Sequence, residues 1–395
     1  MNSEKMSKRN TRLLTWFGIF SALKPHAVVA IIYFEQITGS FALGMGAFSI
    51  SAITASLAEV PTGILSDKIG RKNTIVLGSL FLVAGLVFYA LADSFAFLAI
   101  GSILEGVAGA LFSGNNDALI YESIDVEKRE TRYPDFLGKI GAYAQVAAAI
   151  AALSGGFIAD ISFRYAIWAS VVFAILALFI TLFIMEPRVR SSKISTNILG
   201  DLSKAMRQFF HNAKLRTVSV AYILEWGVAG SMNSFRSAFI ALLWPVWAIG
   251  IAQVLQNVAS AFSSWFSGKI ISKFGSEKVL LYGATIKSAL GFISYGFPTF
   301  GSPVLLAVRS SFSPPIQISQ NHLMQREFTD EQRATMSSLT AFVGNLAFGI
   351  FGFALGFFAD MFGPAKTLLF GEVILLFVIY LYFSLLKSTP SIPKI

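Results

Sequence analysis

Twelve apolar runs of roughly 20 residues, set apart by short charged turns, leave this chain few ways to fold. They fall at about 12–34, 42–65, 74–92, 95–122, 139–159, 164–185, 214–240, 244–268, 277–297, 302–324, 334–359 and 364–386. A run of that length crosses a bilayer once as an α-helix, which satisfies its own backbone hydrogen bonds where no water can. Only 13% of the 395 residues are charged, against about 25% in an average soluble domain, and 55% are hydrophobic. The expectation is an all-α polytopic membrane protein of twelve transmembrane helices. One long polar interval, 186–213, separates residues 1–185 from 214–395, with six runs on either side. Its part from 199 to 210 reads as a short surface helix.

Charge then sets the orientation. Of the 31 Lys and Arg, only Arg164 and Lys366 fall in outward loops if the N-terminus lies inside. Lys24, Arg236, Lys287 and Arg309 fall within helices, and the other 25 occupy tails and inward loops. Cationic loops stay on the cytoplasmic side. Both termini and the 186–213 interval are therefore expected in the cytoplasm, with the chain multi-pass in the inner (plasma) membrane. The net charge of +9 follows these loops and forms no aromatic-interleaved basic patch, which argues against a nucleic-acid partner. The chain has no cysteine, which excludes disulfide and thiolate chemistry. The basic stretch 1–12 lacks a small-residue cleavage site, so no cleaved signal peptide is expected.

The two halves repeat one another. Gly63 and Gly70 recur as Gly268 and Gly275, at an offset of 205. Glu127-Lys-Arg129-Glu-Thr131 recurs as Glu331-Gln-Arg333-Ala-Thr335, and Gly156-Phe157-Ile-Ala159-Asp160 as Gly356-Phe357-Phe-Ala359-Asp360. Three matches in the same order indicate an internal duplication of the kind common in transporters.

Gly63-Ile-Leu-Ser-Asp67-Lys-Ile-Gly70-Arg71-Lys72, between the second and third runs, has the pattern G-x-L-x-D-x-x-G-R-K. It resembles the loop signature of the major facilitator superfamily, and with the six-plus-six arrangement the resemblance spans essentially the whole chain. That resemblance implies two pseudo-symmetric six-helix bundles around a central cavity lined by the first, fourth, seventh and tenth helices. It also implies a conformational latch of Gly63, Asp67, Gly70, Arg71, Lys72 and Glu122. Asp67 would approach the start of the eleventh helix, near Thr335, Ser337 and Ser338, and Arg71 would reach Glu122. Gly63 and Gly70 would permit close backbone approach. The second copy carries Ser272 and Ser276 where Asp67 and Arg71 stand, which implies a latch without those charges. Two departures argue against a standard proton-coupled drug antiporter of this superfamily. Ser102 holds the place of an arginine three residues before Glu105-Gly106, and Ala151-Ala-Leu-Ser-Gly-Gly156 replaces a Gly-Pro-x-x-Gly-Gly signature. The stretches Glu59-Val-Pro-Thr-Gly63 and Ala118-Leu-Ile-Tyr-Glu-Ser123 look like a less characterised bacterial branch.

Charge inside a membrane costs roughly 2.5–3.5 kcal/mol on insertion scales, so such residues should be paired or functional. The candidates for a substrate and ion cavity are Lys24 and His26 in the first run, and Glu105, Asn115, Asn116 and Asp117 in the fourth. The seventh adds Glu225, Asn233 and Arg236. The tenth adds Arg309, Gln317, Gln320 and Asn321, with a kink at Pro314-Pro315. Structural ion pairing is the alternative for each charged member. Lys287 and Glu372 read as structural or snorkelling residues. Trp226, Trp265 and the 38 phenylalanines read as lipid-facing or packing groups. The three histidines lack ligand spacing, so no metal is expected. Gly114–Asp117, read as part of a helix, does not match a phosphate-binding loop, and no cofactor is expected.

The reading is a secondary active transporter for a small-molecule substrate, coupled to protons or another ion, with efflux favoured over import. A uniporter or lipid flippase is the alternative, and an embedded enzyme or receptor stands further off. Glu105 ranks ahead of Glu225 as the proton site, because the repeat places it opposite Arg309, and Asp117 comes next. The expected partners are the substrate, the coupling ion and the lipid bilayer, around a monomer.

Overall fold

The computed structural model describes residues 3–124, 129–186, 209, 211–328 and 333–388. Every one of the twelve expected stretches is helical among these residues, in sixteen α-helices and two short helical insertions. In chain order they are α1 (Ser3–Ala22), α2 (Ala30–Thr38), α3 (Phe41–Ile69), α4 (Arg71–Leu91), α5 (Phe95–Phe112) and α6 (Asn115–Ser123). Then follow α7 (Arg129–Ile161), α8 (Phe163–Leu182), α9 (Ala213–Leu224), α10 (Gly230–Ala241) and α11 (Val246–Phe274). The last are α12 (Ser276–Gly296), α13 (Ser302–Ser310), α14 (Ser313–Glu327), α15 (Arg333–Phe362) and α16 (Pro364–Ser388). Apart from Phe209, the surface helix expected at 199–210 lies outside the described residues.

Among the described residues, eight helices can cross a membrane by length and composition, and a ninth span is the pair of segments up to Thr38, bent by 50°. The stretches that fall short of this measure are 214–240, 277–297 and 302–324. They hold Glu225, Lys287, Arg309 and most of the amides singled out above. The polar content that makes them candidates for a site is what lowers their hydropathy.

Contacts divide the chain into two compact units, Met1–Lys193 with Pro245–Ile251, and Ile194–Trp244 with Ala252–Ile395. In the first unit α4 lies between α5 and α8, with Tyr33, Phe34, Leu82, Leu86, Tyr89, Leu98, Ile167 and Val171 in its core. Gly85 on α4 and Gly101 on α5 bring the two backbones so close that a Cβ at either would meet the other's carbonyl oxygen at 2.9 Å. Small residues pack membrane helices in this way, through dispersion rather than a hydrophobic drive. In the second unit α12 packs on α13, α14 and α16, while α15 packs on the helical insertion at 225–229.

The charged stretch 63–72 is not a loop. Helix α3 runs through it to Ile69, with Pro61 inside, and α4 begins at Arg71, so Gly70 alone makes the turn. Its φ of +90° is one that a side chain would strain. The repeat preserves this device: Gly275, with φ +81°, alone separates α11 from α12. Gly114, with φ +67°, breaks the fourth span between α5 and α6, so Gly114–Asp117 does not lie within a continuous helix as expected.

Candidate functional site

The seventh and tenth spans are both interrupted, and a cavity of about 510 Å³ opens in the second unit where they meet. After α9 the chain makes a π-helical turn, Glu225–Ala229, before resuming as α10. One extra residue per turn shifts the face the helix presents. Gly227 and Gly230 let Ala347 and Phe348 of α15 approach that turn. The tenth span breaks at Ser311-Phe312, and Pro314-Pro315 lie in the first turn of α14, where a missing N–H costs nothing. The break therefore precedes the prolines.

Glu225 stands on the cavity wall and is held by three other helices. Its Oε1 accepts from Lys287 Nζ of α12 at 2.7 Å. Its Oε2 accepts from Gln320 Nε2 of α14 at 2.8 Å and from the Tyr382 hydroxyl of α16 at 3.1 Å. Tyr382 in turn accepts from Gln320 Nε2 at 2.5 Å. Glu225 is only partly buried, and a carboxylate drawn that far from water is stabilised by such a partner set. Lys287 is itself buried, so snorkelling is not its role: it is the counter-ion of Glu225.

Asn233, Arg236, Gln317, Gln320 and Asn321 line the same cavity. Arg309 does not. It is 1% exposed and donates through Nη2 to Glu372 Oε1 at 2.5 Å and through Nε to the Lys287 carbonyl at 3.2 Å. A fully buried guanidinium takes a carboxylate partner, and Glu372 supplies it.

The sequence reading missed the eighth span. Gln253, Gln256, Asn257 and Ser260 form an i, i+3, i+4, i+7 stripe on α11 and line the cavity. That spacing was visible in the sequence. Trp226, read as lipid-facing or packing, also lines the cavity and donates from Nε1 to Asn345 Oδ1 at 3.2 Å.

The candidates of the first unit are held separately. The first span breaks at Lys24, and the 3-10 turn Pro25–Val28 follows. Lys24 is partly buried and has no acidic partner among the described residues. His26 is buried, with its backbone N–H donating to Ser170 Oγ at 3.1 Å and its Nδ1 2.8 Å from the same oxygen. It pins the broken turn to α8. Glu105 accepts from the Tyr89 hydroxyl at 2.9 Å, and Ser102 lies 3.0 Å from that hydroxyl. Asn116 is partly buried and Asp117 exposed.

Asn115 belongs not with a cavity but with the turn at Gly70. Its Oδ1 accepts from Ser66 Oγ at 2.5 Å and from Arg71 Nη1 at 2.9 Å. Arg71 Nε lies 3.7 Å from Glu122 Oε1, and Nη2 3.9 Å from Asp67 Oδ1. A further member was missed. Glu186 accepts the backbone N–H groups of Arg71 and Lys72, both at 2.8 Å, and so caps the start of α4. Free N–H groups and the helix dipole favour an anion there. Gly63 has no atom within 4 Å of a Cβ position, whereas a Cβ at Gly70 would meet the side-chain carboxyl of Glu186. The side chains of Thr335 and Ser337 lie outside the described residues.

The second unit builds its corresponding end differently. Ser276 Oγ lies 2.9 Å from His322 Nδ1, and Lys214 lies 3.6 Å from Glu277 and 3.7 Å from Glu327. Ser272 and Ser276 are uncharged, but charge re-enters through these neighbours.

Residues 13–352 match the family described as Major Facilitator Superfamily. The chain is 25% identical over 375 residues to an uncharacterised MFS-type transporter of Methanocaldococcus jannaschii, covering 91% of this chain and 93% of that protein. It is 23% identical to the class H tetracycline resistance protein of Pasteurella multocida, over 83% of each chain. It is 27% identical to the multidrug resistance protein MdtG of Proteus mirabilis, over 68% of this chain and 69% of that protein. Among solved structures, the nucleoside transporter NupG superposes with a TM-score of 0.75 at 14% identity, over 98% of this chain and all (100%) of that one.

Proposed function

The chain belongs to the major facilitator superfamily, and on that premise we propose that it is a proton-coupled secondary active transporter. It moves a small polar organic solute by alternating access, outward from the cell, and carries out no enzymatic step. The proposal takes residues 1–185 and 214–395 as the two bundles, 186–213 as the cytoplasmic loop between them, and both termini as cytoplasmic. Efflux is supported by relatives whose names are resistance proteins. A solute binds in the amide-lined cavity, where interrupted helices bring polar groups to mid-membrane depth.

One observation carries the coupling: the Glu225 carboxylate lies on the cavity wall with a single ammonium partner, Lys287. Opening that pair changes the proton affinity of Glu225, so a conformational cycle that makes and breaks it moves a proton. The geometry favours Glu225 over Glu105, which accepts from the Tyr89 hydroxyl between α4 and α5. The test is uptake into proteoliposomes, with and without a pH gradient, across a panel of labelled polar solutes. Glu225→Gln should abolish gradient-driven accumulation while solute exchange continues; Glu105→Gln should leave accumulation in place. Undiminished accumulation by Glu225→Gln would place the proton elsewhere. One feature supports a second reading: Glu225 has three hydrogen-bond donors, as a structural tie would. That reading is a uniporter, and it requires transport by the unaltered chain to ignore the pH gradient.

We propose that Arg71, Asp67, Asn115, Glu122 and Glu186 act as the conformational latch, with Lys72 contributing its backbone N–H.

A further inference from the structure

Three charged groups line the cavity of the second unit, and their balance is uneven. Glu225 and Lys287 neutralise each other, and behind the wall Arg309 and Glu372 do the same. Arg236 is left with no carboxylate within ion-pair distance among the described residues. Its amide partner is Gln256, whose Oε1 accepts from Nη1 at 2.9 Å, and the Tyr295 hydroxyl stands beside the guanidinium. We infer that this Arg236–Gln256 corner is a subsite for the oxyanion end of the solute, a carboxylate or a phosphoryl group. The inference rests on the cavity being the substrate site proposed above.

Two features of the corner support it. The bond from Arg236 occupies the amide's carbonyl and fixes its orientation, because a flipped amide would set donor against donor. The guanidinium and the amide N–H groups then make the corner rich in donors. Two of them, Arg236 Nε and Gln256 Nε2, are buried and have no hydrogen-bond partner among the described residues. Gln256 is 3% exposed, so these groups are already out of water. Unpaired buried donors beside an uncompensated cation are costly to maintain. A small shift of the two side chains toward an oxyanion would pair both donors and supply the missing charge.

The remaining lining suits the rest of such a solute. Asn233, Gln253, Asn257, Gln317 and Asn321 offer amides for hydroxyls and ring heteroatoms. A lipophilic cation would meet the unbalanced guanidinium, and Glu225, the one acid lining the cavity among the described residues, already has its ammonium.

The test uses the full chain purified in detergent and reads ligand-induced thermal stabilisation. Two probe pairs differ in the oxyanion: uracil with orotate, and uridine with uridine 5′-monophosphate. In at least one pair the anionic member should act at about tenfold lower concentration than its neutral partner. The pair that shows it separates carboxylate from phosphoryl. Arg236→Gln should abolish that preference and Arg236→Lys should retain part of it. Gln256→Glu, which supplies the missing carboxylate within the protein, should abolish it too and serves if Arg236→Gln does not fold. Equal behaviour of both members in both pairs overturns the subsite, as does a preference that survives both Arg236→Gln and Gln256→Glu. Exchange of labelled probe in proteoliposomes separates the two levels. An Arg236-dependent preference without exchange sinks the transport reading alone; exchange without a preference sinks the subsite alone.

Discussion

Replacing Glu372 by Gln tests whether Arg309 is a structural residue sealed behind the cavity. The pair is 1% and 0% exposed, and Arg309 also ties to the Lys287 backbone. Gln keeps the shape of the side chain but removes the charge, leaving a buried guanidinium without a counter-ion. Breaking a buried pair from one side costs about 3–5 kcal/mol, and the amide oxygen still available places this change near the lower figure. Removing both partners should cost far less. Glu372 Oε2 has no hydrogen-bond partner among the described residues, so the pair is imperfectly satisfied, and Arg309→Met with Glu372→Met should fall within about 2 kcal/mol of the parent. The assay is reversible SDS-driven unfolding of the purified protein, followed by fluorescence of its 6 tryptophans. With each single replacement by Met losing about 3 kcal/mol or more and the double at most about 2, the double-mutant cycle should give a coupling energy of at least about 4 kcal/mol between the two sites. Full stability of Glu372→Gln, or additive losses in the double variant, would refute the reasoning. So would a Glu372→Gln protein that unfolds normally but no longer binds solute.

The turn at Gly70 gives a second test: Gly70→Ala should lose about 1–2 kcal/mol from its positive φ, with more from the clash with Glu186, whereas Gly63→Ala should be neutral in the same unfolding assay. Orientation is checked by cysteine labelling in intact cells, since the chain has no cysteine of its own. A cysteine at exposed Thr299 should react with an impermeant thiol reagent and one at exposed Ser272 should not; the reverse pattern would invert the topology.

What the sequence disclosed was whatever a short window determines. Each apolar run proved helical, and Gly70 and Gly275, found as a repeat, are the turns themselves. What it withheld was the direction each side chain faces. A helix that is apolar nearly all round carries no amphipathic signal to set its rotation. Lys287 therefore reads from sequence only as structural or snorkelling, although it pairs with Glu225 on the cavity wall, and Arg309 reads as a cavity residue or a structural ion pair, and the structure seals it against Glu372. The stripe Gln253, Gln256, Asn257 and Ser260 does carry the signal. It was passed over because the resemblance directed attention to four other helices. Glu186 was invisible for a different reason: a carboxylate capping N–H groups 115 and 114 residues away leaves no local trace.

The two halves use the amides of their fourth and tenth spans differently. In the first unit Arg71 donates to the Asn115 carbonyl, so that amide lies at the turn of Gly70. At the corresponding turn of the second unit Ser276 stands where Arg71 does, at the offset of 205 that relates Gly70 to Gly275, and lies 2.9 Å from His322 Nδ1. Gln320, two residues before His322, reaches Glu225 and Tyr382 at the cavity wall instead. With a serine in place of the arginine, that turn offers no guanidinium to compete for a nearby amide.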